Sequence, residues 1–276
     1  MSAGVSDVAR VGGDVADSAP LGWAARLGLT ARAVIYLVIG WLAILLARGE
    51  SAHVDQRGAL VTLLSQPFGT VLVVVLLVGF LGYAAWRFSE AAFGVIGEPP
   101  GAVPRLKSLG RGLAYLAVAW SAFEILRGAR ATQAGQQAHL AATVMANAAG
   151  RVLVGLVGLG VVVAGLVMVH EGWSTKFMRY FGSLPARLRT AVVWLGRVGT
   201  VSRGLVFAVA GALVVVAAWT ARPADAGGID VAVRTLLEQP FGPQLVALLG
   251  LGLVLFGVYG LAEAAWRRVP GDGGAR

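Results

Sequence analysis

An arginine that opens one apolar segment and a glutamate that closes the next occur three times in this sequence. The three pairs are Arg32 with Glu90, Arg111 with Glu171, and Arg203 with Glu263. A lone charge in a hydrocarbon environment costs about 2.5–3.5 kcal/mol even on insertion scales, and an opposite charge nearby reduces that cost. We therefore predict three buried ion pairs, which close either within one hairpin or between neighbouring hairpins around a pseudo-threefold axis.

Two roles for these pairs remain open on the sequence alone. In the first, the pairs only fix how neighbouring helices align, as buried ionic groups can do. In the second, three equivalent acids line a vestibule that passes an ion or a solute, as charged groups within apolar segments often do. Few polar residues stand near the middle of the apolar segments, and Ser121 is the clearest of them. Their scarcity favours the first role.

One further acid in an apolar segment, Glu124, has no counterpart in the other two repeats. We expect it to pair with Arg127, because residues three apart lie on the same face of a helix. A polar site specific to the middle repeat, formed by Glu124 with Asn147 and His139, is the second possibility.

Residues for other kinds of chemistry are sparse. The chain has no cysteine, which excludes disulfides and thiolate chemistry. Its three histidines do not occur at the spacing of a metal or haem site. No phosphate-binding loop, nucleophile elbow or dinucleotide fingerprint is found. We therefore predict no catalytic residue, metal or cofactor, and we expect a protein that is not an enzyme.

The elements that carry the charges are long apolar blocks. Hydrophobic residues make up 57% of the chain and charged residues 13%, against about 25% charged in soluble proteins. Six blocks approach or exceed the roughly 20 residues that a membrane-spanning helix needs. They lie at 31–47, 70–93, 110–126, 152–170, 204–221 and 244–266. The sequence therefore predicts an all-α integral membrane protein with six transmembrane helices, arranged as three tandem hairpins with a pseudo-threefold repeat.

A repeated turn supports the three hairpins. Residues 63–69 read Leu-Leu-Ser-Gln-Pro-Phe-Gly, and residues 236–242 read Leu-Leu-Glu-Gln-Pro-Phe-Gly. Each turn follows a short segment, such as 59–65, for which we predict a helix lying on the membrane surface. Gly79, Gly160 and Gly252 recur ten residues after the turns, and small residues at such positions let membrane helices pack closely. We predict a tail over 1–20, repeats over 21–98, 105–173 and 197–268, and a loop over 174–196.

The basic residues indicate an orientation. When helix ends are assigned alternately to two sides, sixteen of the 23 Lys and Arg residues lie on one side. By the positive-inside rule both termini are then cytoplasmic. The 174–196 segment mixes basic and aromatic residues, so we expect it to lie on anionic lipid headgroups rather than to bind nucleic acid.

The repeat also resembles a known family. Arg-Gly-Leu-Ala-Tyr at 111–115 and Arg-Gly-Leu-Val-Phe at 203–207, with Gln-Pro-Phe-Gly and the closing glutamate, resemble the bacterial membrane family called domain of unknown function 1206. The middle copy departs from the pattern, because it lacks Pro-Phe-Gly. The resemblance implies a six-helix membrane protein and no assigned activity.

Two functions follow as expectations. The first is a non-enzymatic protein of the bacterial cell membrane with a structural, accessory or lipid-interacting role. The second is a transporter or channel for a small solute or an ion, with its pathway near the pseudo-threefold axis.

Overall fold

The computed structural model describes residues 18–271 except 97, 100, 130 and 183. Most of the predicted 1–20 tail, and three residues of the charge count, Arg10, Arg130 and Arg276, lie outside the described residues. The first helix begins at Ala19, so the end of the predicted tail is helical. Arg26 anchors this end of the chain, because its Nη1 donates to the Ala264 carbonyl oxygen at 2.7 Å.

Nine α-helices occur in the described residues. They are α1 (Ala19–Ala47), α2 (Gln56–Leu64), α3 (Gly69–Phe93), α4 (Ala102–Leu126), α5 (Gln133–Val144), α6 (Ala148–Trp173), α7 (Ala186–Thr220), α8 (Gly228–Leu237) and α9 (Gly242–Trp266). Six of them, α1, α3, α4, α6, α7 and α9, are long and apolar enough to cross a membrane. This confirms the predicted six-helix membrane fold. In each hairpin a short helix (α2, α5 or α8) precedes the second long one.

The backbone conformation of the two repeated turns explains why Gln-Pro-Phe-Gly recurs in them. Phe68 and Phe241 adopt left-handed backbone conformations with φ of 61° and 60°. The chain then doubles back so tightly that a Cβ on Gly69 would lie 2.1 Å from the Leu64 carbonyl oxygen. The middle copy makes an equally close return at Gly150 without Pro-Phe-Gly. Asn147 assists there by capping α6, where its side chain accepts from the Gly150 amide at 2.8 Å.

The six long helices form an arc rather than a closed ring. Extensive packing joins α6 to α7, α7 to α9, α9 to α1, α1 to α3, and α3 to α4. The two helices of the middle hairpin, α4 and α6, do not pack along each other within the described residues. The three hairpins thus keep the order that a pseudo-threefold repeat requires, while the middle hairpin is opened.

Glycines mark the closest helix crossings. A Cβ on Gly40 would lie 2.6 Å from the Gly250 carbonyl oxygen, so α1 and α9 meet backbone to backbone. Of the recurring glycines, Gly79 and Gly252 also pack against a neighbouring helix. Nothing lies within 4 Å of a Cβ on Gly160. The prediction of close packing at Gly160 was therefore wrong, because none of the described helices covers its side of α6.

Much of the segment 174–196, for which a loop was predicted, is helical. Lys176–Tyr180 forms a 3₁₀ turn, and α7 already begins at Ala186. Phe177 and Phe181 are buried in the bundle, where both rings contact Tyr259. These two aromatic side chains therefore do not lie on the membrane surface, since packing against α9 removes them from it.

Candidate functional site

Arg32 forms its ion pair with the third hairpin. Its Nη2 bonds to Glu263 Oε2, and the two side chains are only 7% and 5% exposed. Arg267 donates to the other oxygen of Glu263 at 2.6 Å. The pairing of Arg32 with Glu90 was thus wrong and the between-hairpin alternative is correct here, because α1 packs directly against α9.

Glu90 finds its partners on its own helix and on α4. Arg87, three residues earlier, donates to Glu90 at 2.6 Å, and the Ser108 hydroxyl donates at 2.8 Å. Arg87 also donates to the Tyr83 hydroxyl at 2.7 Å, and Arg32 reaches the same hydroxyl at 3.4 Å. Tyr83 therefore links the Arg32–Glu263 ion pair to the Arg87–Glu90 ion pair.

Glu171 makes a weaker contact. Its Oε1 lies 3.4 Å from Lys107 Nζ, and its side chain is 27% exposed. Exposed pairs of this kind typically contribute about 0–1 kcal/mol. The contact joins α6 to α4 at the end of the bundle where the described chain begins and ends, which we call the termini end. The predicted pair of Arg111 with Glu171 was therefore wrong, because Glu171 contacts Lys107 instead.

Arg111 and Arg203 have no carboxylate partner among the described residues. The Arg203 guanidinium instead lies 5.1 Å from the Tyr36 ring centre, 5.1 Å from that of Phe207 and 5.0 Å from that of Phe256. Its Nε is buried without a hydrogen-bond partner. Rings attract cations, but they do not neutralise them.

These side chains form one group with excess positive charge. Arg32 and Arg203 both lie near the Phe256 ring, and Arg87 and Arg267 both lie near the Trp86 ring. Arg111 lies near Arg87 and Arg267. We call the five arginines the basic cluster: Arg32, Arg87, Arg111, Arg203 and Arg267. Only two buried glutamates, Glu90 and Glu263, oppose them among the described residues. The arrangement therefore suits an anion.

Sequence reasoning missed Arg87, Arg267 and Tyr83. Arg87 precedes Glu90 by three residues and Arg267 follows Glu263 by four, which is the spacing of ion pairs on one helix face. That spacing could have identified both arginines. The bond from Arg87 to Tyr83 follows the same spacing on one helix, whereas the contact of Tyr83 with Arg32 depends on how α1 approaches α3, which no local pattern records.

Glu124 takes part in a second polar group at the opposite end of the bundle, which we call the distal end. It pairs with Arg57 of the first hairpin at 2.9 Å, and not with Arg127. Asn147 is occupied in capping α6, and the His139 side chain is exposed. Both predictions for Glu124 were wrong, because α2 folds over the end of α4 and supplies Arg57.

Sequence comparisons identify similar proteins of unknown activity. The sequence model described as Domain of Unknown Function (DUF1206) matches three times, at residues 27–94, 106–175 and 198–267. An "Uncharacterized protein YxxB" from Bacillus subtilis (strain 168) is 29% identical over 251 residues, which cover 88% of this chain and 90% of that protein. No solved structure matches the chain.

Proposed function

The chain belongs to the Domain of Unknown Function (DUF1206) family, and from its geometry we propose that it is a non-enzymatic membrane protein that binds an anionic phospholipid. The acyl chains would occupy the opening between α4 and α6, and the phosphate would lie at the basic cluster. The observation that carries the proposal is the half-buried Arg203 guanidinium, whose Nε is buried without a hydrogen-bond partner and which no carboxylate neutralises among the described residues.

The depth of Arg203 supports a phosphate ligand. Seventeen residues separate Arg203 from the end of α7 at Thr220, which is about 26 Å at ~1.5 Å per residue. A bilayer has a hydrocarbon core of ~30 Å. Arg203 therefore lies near one boundary of the core, where lipid phosphates are found, and its guanidinium lies beside three aromatic rings.

The two helices beside the opening support acyl chains. On α6 the buried residues are three glycines on the face toward α7, and most of its large apolar side chains are exposed. On α4, Leu113 and Leu116 are among the exposed leucines. Hydrocarbon must cover such surfaces in a membrane, and under this proposal the lipid reaches the basic cluster between α4 and α6, which do not pack along each other in the described residues.

Replacing Arg203 with Gln is expected to reduce co-purified anionic phospholipid by about tenfold, because a phosphate would lose a charge-assisted hydrogen bond. Native mass spectrometry of protein extracted in mild detergent, after exchange into phosphatidylglycerol or phosphatidylethanolamine, measures the bound lipid. Arg151→Gln is the matched control, since Arg151 is exposed at the distal end of α6. Equal retention of both lipids by all three proteins would overturn the proposal.

A second candidate function is transport of a small anion. It is favoured by the same unneutralised arginines, which lie where the three hairpins meet. Proteoliposomes distinguish the two candidates: uptake of a small anion that Arg203→Gln abolishes indicates transport, whereas stable lipid binding without uptake indicates a lipid-binding protein.

The start of α7 is a further contact with anionic headgroups under this proposal. Arg187 and Arg189 are exposed on its first turns, and Trp194 is 58% exposed. Basic side chains near an anionic membrane surface contribute about 1 kcal/mol each. The basic part of the predicted 174–196 segment thus keeps its proposed role, although two of its aromatic side chains are buried.

We propose that the termini end faces the cytoplasm of a bacterial cell, in agreement with the positive-inside rule. A C-terminal reporter that is active only in the cytoplasm is therefore expected to be active in the full chain, whereas one inserted at Gly128, between α4 and α5, is expected to be inactive. The reverse pattern would contradict this orientation.

A further inference from the structure

A cavity of about 350 Å³ opens at the distal end of the bundle, far from the basic cluster. The segment that leads into α2 forms one wall, and the start of α5 forms the other. His53, Asp55, Arg57, Thr62 and Gln133 are among its lining residues. Ligand pockets in proteins begin at about 300 Å³, so a small organic molecule fits.

Arg57 lines this cavity and carries unsatisfied donors. The side chain is only 2% exposed, and its Nη1 donates to Glu124 at 2.9 Å. Its Nε and Nη2 are buried without hydrogen-bond partners. A buried charged donor without an acceptor lowers the stability of the fold. The described residues supply no acceptor for these two nitrogens, so a bound ligand with an anionic group would satisfy them.

Asp55 lines the same cavity and carries an unsatisfied acceptor. Its Oδ1 caps α2 by accepting from the Gly58 amide at 2.7 Å, whereas its Oδ2 is buried without a partner. Burial raises the pKa of the Asp55 carboxyl, and the nearby Asp230 adds to that effect, while His53 opposes it. Among the described residues no cation forms an ion pair with Asp55, and Arg57 pairs with Glu124 instead.

The neighbouring charges are already engaged. Asp230 accepts from the Val54 amide at 2.7 Å and from Arg234 at 2.9 Å. Arg234 also donates to the Ala52 carbonyl oxygen at 2.6 Å. The Asp230–Arg234 pair holds the wall of the cavity in place. Among the lining residues, Asp55 and Arg57 are then the two oppositely charged groups that still have unsatisfied hydrogen-bonding atoms.

We propose that the cavity binds a small zwitterion, a molecule of the amino-acid class whose protonated amine contacts Asp55 and whose carboxylate contacts Arg57. Each end of such a ligand meets the group of opposite charge, and both sets of unsatisfied atoms gain partners. The inference does not rest on lipid binding, because the two sites lie at opposite ends of the bundle.

Thermal unfolding in detergent tests the inference with glycine, β-alanine and γ-aminobutyrate, which separate amine and carboxylate by increasing distances. At least one of them is expected to raise the melting temperature by several degrees at millimolar concentration. Acetate and methylammonium, which each carry one of the two groups, are expected to give no comparable shift.

Asp55→Asn tests the assignment of the site. Asn also caps helices well, so the variant retains the cap of α2 while losing the anionic oxygen. We expect equal or higher stability without ligand, because the variant no longer buries a charge, and at least about tenfold weaker binding of the active zwitterion. Asp225→Asn, in the Pro223–Ala226 turn outside the cavity lining, is the matched control and should bind normally. The absence of any zwitterion shift, or an equal shift in Asp55→Asn, would overturn the proposal.

Discussion

Replacing Glu263 with Gln is expected to lower the free energy of unfolding by about 3–5 kcal/mol, the usual cost of leaving a buried charge without its partner. Glu263 neutralises both Arg32 and Arg267, and all three side chains are buried. The substitution keeps the size of the side chain, so the loss reports charge rather than packing. Unfolding of the purified protein by heat or by a denaturing detergent, followed by helix content, measures the change.

Glu171→Gln is the matched control, because Glu171 occupies the same place in the middle repeat. Its contact with Lys107 is longer and partly exposed, so we expect a loss of about 0–1 kcal/mol. Similar losses in the two variants would mean that the connection between α1 and α9 does not depend on its ion pair. Arg32→Gln should be milder than Glu263→Gln, since Arg267 still neutralises Glu263 in that variant.

Replacing Gly40 with Leu is expected to be the second most damaging change. A Cβ there would lie 2.6 Å from both the Gly250 carbonyl oxygen and the Val254 amide nitrogen. Backbone atoms cannot turn aside as a side chain can, so α1 and α9 must separate. Overpacked cores lose about 1–3 kcal/mol, and separation of these helices also strains the bond between Arg32 and Glu263.

Gly160→Leu provides the comparison, because nothing lies within 4 Å of the added Cβ. We expect it to leave the free energy of unfolding unchanged or to raise it slightly, since Leu favours a helix by a few tenths of a kcal/mol or more over Gly. The two variants are compared by the same thermal unfolding. Equal destabilisation would imply that another helix covers Gly160, which would contradict the open side of α6.

Local sequence patterns predict much of this fold, because the hydrocarbon core of a membrane restricts which sequences can cross it. A helix that crosses a membrane must satisfy its own backbone and be apolar over about 20 residues, and both conditions appear directly in the sequence. The repeated Gln-Pro-Phe-Gly turns could be identified for a similar reason. The chain doubles back so closely at Gly69 and Gly242 that a side chain would collide with the preceding helix.

The partners of the charges could not be predicted in the same way. Arg32 and Glu263 are separated by 231 residues, and Arg57 and Glu124 by 67. The repeat supplies three equivalent arginines and three equivalent glutamates, but equivalence in sequence does not require equal contacts. Arg87 and Arg267 stand beside two of the glutamates and have no counterpart beside Glu171, so the three sites differ.

By itself, the sequence determined that the chain forms six apolar helices in three hairpins, with ionisable groups near their ends, because these properties depend on residues close together in the chain. Only the tertiary structure decided which helices are neighbours. Close backbone contacts join α9 to α1 and α6 to α7, while α4 and α6 do not pack along each other in the described residues. That arrangement pairs Arg32 with Glu263 and brings Asp55 and Arg57 to one cavity, and it leaves Arg203 without a carboxylate in the part of the chain that the structure describes. The reason is that side-chain partners are set by the packing of distant segments.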